Sequence, residues 1–123
     1  MNDTSPLVIY AGSGWNYSTG RNAGDYDNDV HYTTNNGDSF SVTSQCSAFT
    51  VYMPEESDEA NVEFFIDGVS RGLVSTYAAS YTPQHSVFSI AGLAAGSHTV
   101  SAFKRSGAYM QPDRIDCVSM PAI

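Results

Sequence analysis

The chain has 123 residues, enough for one sandwich-sized core and too few for a catalytic barrel with a second domain. Thirteen acidic residues against five basic ones leave a formal net charge of −8, which argues against a nucleic-acid or anionic-membrane partner, because phosphate binding needs clustered Lys and Arg. Hydrophobic residues are 41% and aromatics 12%, so the chain reads as globular, and no apolar run approaches the roughly 20 residues of a membrane span.

Residues 1–6 are polar behind Met1 and read as a linker or N-terminal tail. No signal peptide is recognisable there, and the start reads as that of a module cut from a longer protein. Residues 7–120 read as a single domain. No segment shows helical period over 11 or more residues; short alternating runs and turn signals recur instead. Leu7-Val8-Ile9-Tyr10 is the first predicted strand, closed by Gly12 and Gly14. Val30-His31-Tyr32-Thr33-Thr34 and Ser39-Phe40-Ser41-Val42-Thr43 flank Asn35-Asn36-Gly37-Asp38, which predicts a hairpin. Residues 49–53 continue after an irregular step at Cys46-Ser47-Ala48. Val62-Glu63-Phe64-Phe65-Ile66 and residues 69–74 flank Asp67-Gly68, the strongest hairpin signal in the chain. Further strands are predicted at 86–90, 98–103 and 115–118. About eight short strands with Gly-rich punctuation predict an all-β fold, an antiparallel β-sandwich or jelly roll.

In such a sandwich consecutive strands alternate in direction, so alternate connections share an end. The connections 11–29, 54–61, 75–85 and 104–111 are long and fall at one end, with 35–38, 67–68 and 91–97 at the other. Loops on a rigid scaffold usually carry function. The long set holds Trp15, Tyr17, Arg21, Asp25, Tyr26, Asp27 and Asp29, then Glu55, Glu56, Asp58 and Glu59. It also holds Tyr77, Tyr81 and His85, then Lys104, Arg105 and Tyr109. Aromatic faces suit the C–H faces of a pyranose and cost little entropy to order. A few placed carboxylates and amines suit its hydroxyl rim. For Trp15 a plug in the sandwich end competes with a ligand platform. Tyr32 and Tyr52 read as packing residues, and His31 and His98 as hydrogen-bonded scaffold.

Asp25-Tyr26-Asp27-Asn28-Asp29 imitates the start of an EF-hand loop, but Val30 stands where that loop needs Gly and Asn36 where it needs Glu. Asp25, Asp27 and Asp29 remain candidates for a structural calcium; no cofactor is expected to be required. No G-x-S-x-G, HExxH, P-loop or GxGxxG pattern occurs, so no nucleophile–base pair is proposed. Cys46 and Cys117 are the two cysteines, either one bridge or two buried thiols. A polar surface with Lys104 as the single lysine points to secretion, where a bridge survives.

The chain resembles the galactose-binding-like β-sandwich modules appended to secreted microbial glycoside hydrolases and other polysaccharide-active enzymes. The residues that carry the likeness are Asn2-Asp3-Thr4 with Ile9-Tyr10 and G-S-G-W at 12–15, Asp29-Val30-His31-Tyr32-Thr33, and N-V-E-F-F-I-D-G-V around 62–68. G-L-A-A-G-S-H-T-V at 92–100 and K-R-S-G-A-Y-M at 104–110 complete it. The loop 53–60 departs from the T-E-T-N-S-D-x-G of relatives, keeping Ser57 and Asp58. The resemblance implies a non-catalytic carbohydrate-binding module, part of a larger multidomain chain, that tethers a secreted enzyme to polysaccharide. The expected contact set is Trp15, Tyr17, Tyr26, Asp58, Tyr77, Lys104 and Tyr109, with Asp58 accepting and Lys104 donating. The rival readings are a structural or protein-interaction sandwich and a small hydrolase using two loop carboxylates.

Overall fold

The computed structural model describes residues 1–20, 29–55, 60–79 and 82–119. Among them lie ten strands: β1 (Val8–Ala11), β2 (Asn16–Thr19), β3 (Asp29–Tyr32), β4 (Ser39–Ser44), β5 (Cys46–Glu55), β6 (Ala60–Ile66), β7 (Val69–Ser75), β8 (Thr82–Ile90), β9 (His98–Gly107) and β10 (Arg114–Ser119). The all-β reading holds. A five-stranded sheet runs β1-β4-β9-β6-β7, a three-stranded sheet runs β10-β5-β8, and β2 pairs with β3 alone; every pairing is antiparallel.

Period-two alternation builds the core. Phe40 and Val42 of β4, Val62, Phe64 and Ile66 of β6, and Val100 and Ala102 of β9 point inward from the larger sheet. Phe49, Val51 and Met53 of β5 and Ile115 of β10 meet them from the smaller one. Phe64 lies flat on Phe88 of β8, ring centroids 4.6 Å apart and planes at 5°, so the two sheets touch ring to ring.

The β6–β7 hairpin forms as predicted. Ile66 faces Val69 across Asp67-Gly68, and both turn residues take positive φ, 52° and 80°, the backbone of a two-residue type I′ turn. The second predicted hairpin does not form. β3 pairs with β2, while β4 pairs with β1 and β9, so 35–38 joins strands that share no ladder. The strand β2 lies inside what the sequence presents as one long loop, and pairing to it draws β3 away.

Residues 1–6 are no loose tail. The Met1 ammonium donates to the Ile115 carbonyl at 2.7 Å, the Asp3 amide donates to the Asp113 carbonyl at 3.0 Å, and the Asp3 side chain is fully buried. They pair along β10 and cover the edge it would otherwise expose. Cys46 and Cys117 form a disulfide, Cα–Cα 5.6 Å, joining the neighbouring strands β5 and β10. It closes a sequence separation of 71 residues, for which chain entropy gives a stabilisation of about 4 kcal/mol.

Candidate functional site

Antiparallel pairing fixes which connections share an end. With β4 taken as running up, β1, β9 and β7 run down and β6 runs up. Only Gln45 separates β4 from β5, so β5 starts at the top and runs down in the facing sheet, with β8 and β10 up. The strand ends that flank 12–15, 56–59, 76–81 and 108–113 therefore lie at the lower end, together with the β2–β3 ribbon. The sequence reading of that end holds, with one correction. Residues 33–38 belong to it too, because β2 adds a reversal that the strand count missed.

The lower end is organised around two buried polar side chains. Asp38 is 6% exposed, and its Oδ2 accepts from the Gly14 amide at 3.0 Å and from the Thr33 hydroxyl at 2.7 Å. A Cβ on Gly14 would come within 2.7 Å of that oxygen, and one on Gly12, at φ 108°, would overlap the Asp38 carboxylate. The two glycines let the backbone after β1 close over the acid. Lys104 is fully buried, and its ammonium donates to Asn36 Oδ1 at 2.5 Å and to the Gly107 carbonyl at 2.7 Å. The Gly37 amide donates to the Lys104 carbonyl at 2.7 Å and the Lys104 amide to the Asp38 carbonyl at 3.0 Å. Burial lowers the Lys104 pKa below that of a free lysine, and the Asp38 carboxylate opposes the shift. The sequence reading gives Lys104 the part of a donor to a ligand. It cannot play it: it faces inward two residues after Ala102 and four after Val100, and its donors bind the protein's own loops.

An aromatic stack stands beside this hub. Tyr10 lies nearly parallel to His31, centroids 4.2 Å apart, and Tyr17 of β2 meets the His31 ring at 5.0 Å, tilted to it by 50°. Asp3 Oδ2 sits 2.6 Å from His31 Nδ1 and holds the imidazole, and the Tyr10 hydroxyl donates to the Asp3 carbonyl at 2.6 Å. The stack ends at Tyr17, 48% exposed. Sequence reasoning makes His31 plain scaffold; its register opposite Tyr17 emerges only once β2 is known.

Trp15 resolves towards packing. It is half-buried, stands edge-on to Tyr10 at 4.7 Å, contacts Phe40 at 6.4 Å, and its indole N–H donates to the Ala11 carbonyl at 2.9 Å. Tyr109 is half-buried, edge-on to Tyr32 at 6.1 Å, beside the paired Thr33 and Met110. Tyr77 is 60% exposed just past β7. Trp15 follows β1 and Tyr77 follows β7, the opposite edges of the five-stranded sheet. Four strand spacings separate them, about 19 Å, so the expected aromatics line one end without forming a single cup. Tyr26, Asp58, Asp25 and Asp27 lie outside the described residues, as does the Asp29 side chain. Among the described residues no group of three or more His, Cys, Asp or Glu is placed to hold a metal ion.

No protein-family model matches the chain. No curated protein matches it either. Solved structures share its fold. The Agl-KA catalytic domain superposes with a TM-score of 0.63 at 11% identity, over 99% of this chain and 28% of that one. The catalytic domain of a GH87 alpha-1,3-glucanase in complex with nigerose gives 0.59 at 14%, over 99% and 28%. A Paenibacillus xanthan lyase gives 0.62 at 12%, over 91% and 12%. At these identities the likeness is one of fold. The chain corresponds to 28% or less of the length of each, and the neighbours are parts of carbohydrate-active enzymes.

Proposed function

We propose that the chain is a non-catalytic carbohydrate-binding module whose ligand lies along the lower end of the sandwich, and that it tethers a larger extracellular enzyme to its polysaccharide. The observation that carries this reading is the Tyr17 ring, 48% exposed and backed by His31 and Tyr10. A flat ring already ordered by its neighbours loses little entropy when a sugar face settles on it. Tyr77 and Tyr109 extend aromatic surface along the same end, and Tyr26 and Asp58 complete the proposed contact set. The disulfide and the fold neighbours support an extracellular setting. Tyr17 follows β1 and Tyr77 follows β7, the opposite edges of the five-stranded sheet, and ring contacts so separated suit an extended chain better than one monosaccharide. Isolated affinity is expected at about 0.01–1 mM, or about 4–7 kcal/mol.

A second reading, a protein-interaction module, rests on the exposed side chains of Ile9 and Leu73, 59% and 66% accessible on the two edge strands. A glycan array run beside sedimentation velocity separates the two. Oligosaccharide binding that weakens in Tyr17→Ala and persists in Leu73→Ser supports the carbohydrate reading. Silence on the array with concentration-dependent self-association supports the other.

A further inference from the structure

The upper end carries the Asp67-Gly68 turn and the connection 91–97, and one side chain ties them together. His98, the first residue of β9, places Nδ1 2.6 Å from Asp67 Oδ2 and Nε2 2.6 Å from the Ala94 carbonyl. A carbonyl only accepts, so Nε2 carries a proton. Asp67 is held below the ordinary aspartate value by its His98 and Thr99 bonds and is a carboxylate near neutrality; its Oδ2 then only accepts, so Nδ1 carries the other proton. The geometry asks for an imidazolium.

We propose that Asp67, His98 and the Ala94 carbonyl form a proton-dependent latch that joins the β6–β7 turn to the 91–97 connection, closed while both ring nitrogens of His98 are protonated. The charged groups around the ring are few. Asp67 faces it from the turn, and Arg71 of β7 acts on Asp67 from the same hairpin. β4 contributes Ser44 opposite His98, β9 contributes Thr99, and the 91–97 connection contributes a backbone oxygen. The Asp67 hydrogen bond, then the Ala94 bond, raise the His98 pKa above 6.5. The His98 and Thr99 bonds lower that of Asp67 below 3.8.

The window follows from the two directions. Above the raised imidazole value His98 loses one proton, and neutral imidazole cannot donate to both partners. Below the depressed carboxylate value Asp67 gains a proton and the ion pair is lost. Between them the latch is shut. It lies at the end remote from the proposed ligand rim, so its opening should free 91–97 without moving Tyr17.

Nitrogen-15 spectra of the His98 ring test this directly, with amide exchange across 91–97 as the second readout. At pH 6, below the ordinary histidine value, both ring nitrogens should show bound protons. The midpoint should lie above 6.5, and protection of the 91–97 amides should fall, after correction for intrinsic exchange, as the ring titrates. Asp67→Asn keeps a residue tolerant of φ 52° in the turn. It should return the midpoint to the ordinary histidine range and loosen 91–97 at pH 6. A neutral His98 tautomer at pH 6, a midpoint below 6.5, or protection of 91–97 that ignores both the titration and Asp67→Asn, overturns the proposal.

Discussion

The two ends of the sandwich are held by different means. At the upper end Gln45 alone joins β4 to β5, a two-residue turn closes β6 to β7, and the Cys46–Cys117 disulfide fastens β5 to β10. At the lower end longer connections converge, tied by hydrogen bonds that Lys104 donates and Asp38 accepts. One end is closed by short and covalent links, the other by a buried polar hub beneath exposed rings. The contrast teaches where variation is tolerated. A hub that bonds backbone groups holds loops whose outward side chains are free to differ, which is what a binding rim needs.

The largest expected effect breaks the upper end. Cys46→Ala with Cys117→Ala opens the 71-residue separation and should lower unfolding free energy by about 4 kcal/mol, read from urea melts. Ligand affinity of the remaining folded protein should stay unchanged, since the bridge lies far from the rim. The next effect breaks the lower end. Lys104→Met removes the donor that joins Asn36 to Gly107; both acceptors sit on exposed residues and can turn to water, so the loss is that of the hydrogen bonds themselves, about 1 kcal/mol each. Here affinity should fall along with stability, because 35–38 and 104–107 shift together. If affinity survives, the hub does not shape the rim. Gly14→Ala strikes the Asp38 side of the hub: its Cβ would stand 2.5 Å from the Asn35 amide nitrogen and 2.7 Å from Asp38 Oδ2, so one of those side chains must move.

The smallest effect is the pH response. Glu63 is held below the ordinary glutamate value, first by the Ser70 hydrogen bond and then by Arg105, and Asp67 is held down by His98 and Thr99. Both contributions are present above the unfolded carboxylate values and vanish as pH falls through the folded ones. The raised His98 works the other way, its contribution being complete below 6.5 and lost as pH climbs through the folded value. A shallow maximum of Tm on the acidic side of neutrality should result, flattened in Asp67→Asn. The hydrogen bonds of these groups are open to solvent, so the amplitude is small.

How much of this was legible in the residues follows from their periods. Strands whose inward positions are apolar, such as Val62, Phe64 and Ile66, announced themselves, and Asp67-Gly68 named its own turn. β2 did not. Asn16-Tyr17-Ser18-Thr19 buries no side chain fully and is ordered by pairing with β3, so it carries no apolar alternation. Missing it produced the false hairpin and placed 35–38 at the wrong end. Lys104 was readable and misread. It continues the inward series Val100, Ala102, while Arg105 continues the outward series Ser101, Phe103, where it lies over the Phe103 ring at 5.0 Å. Charge suggested a donor at the surface; parity pointed to the interior. The stack of Tyr10, His31 and Tyr17 was beyond reach, because it depends on the register between two strands, one of them unseen.

Affinity electrophoresis in gels cast with a panel of neutral and acidic polysaccharides tests the central claim most directly. The account predicts retardation of the wild-type chain in at least one gel. It also predicts at least a tenfold weaker interaction, about 1.4 kcal/mol, for Tyr17→Ala with an unchanged melt. Free migration in every gel, or a Tyr17→Ala variant retarded as strongly as the wild type, would contradict it.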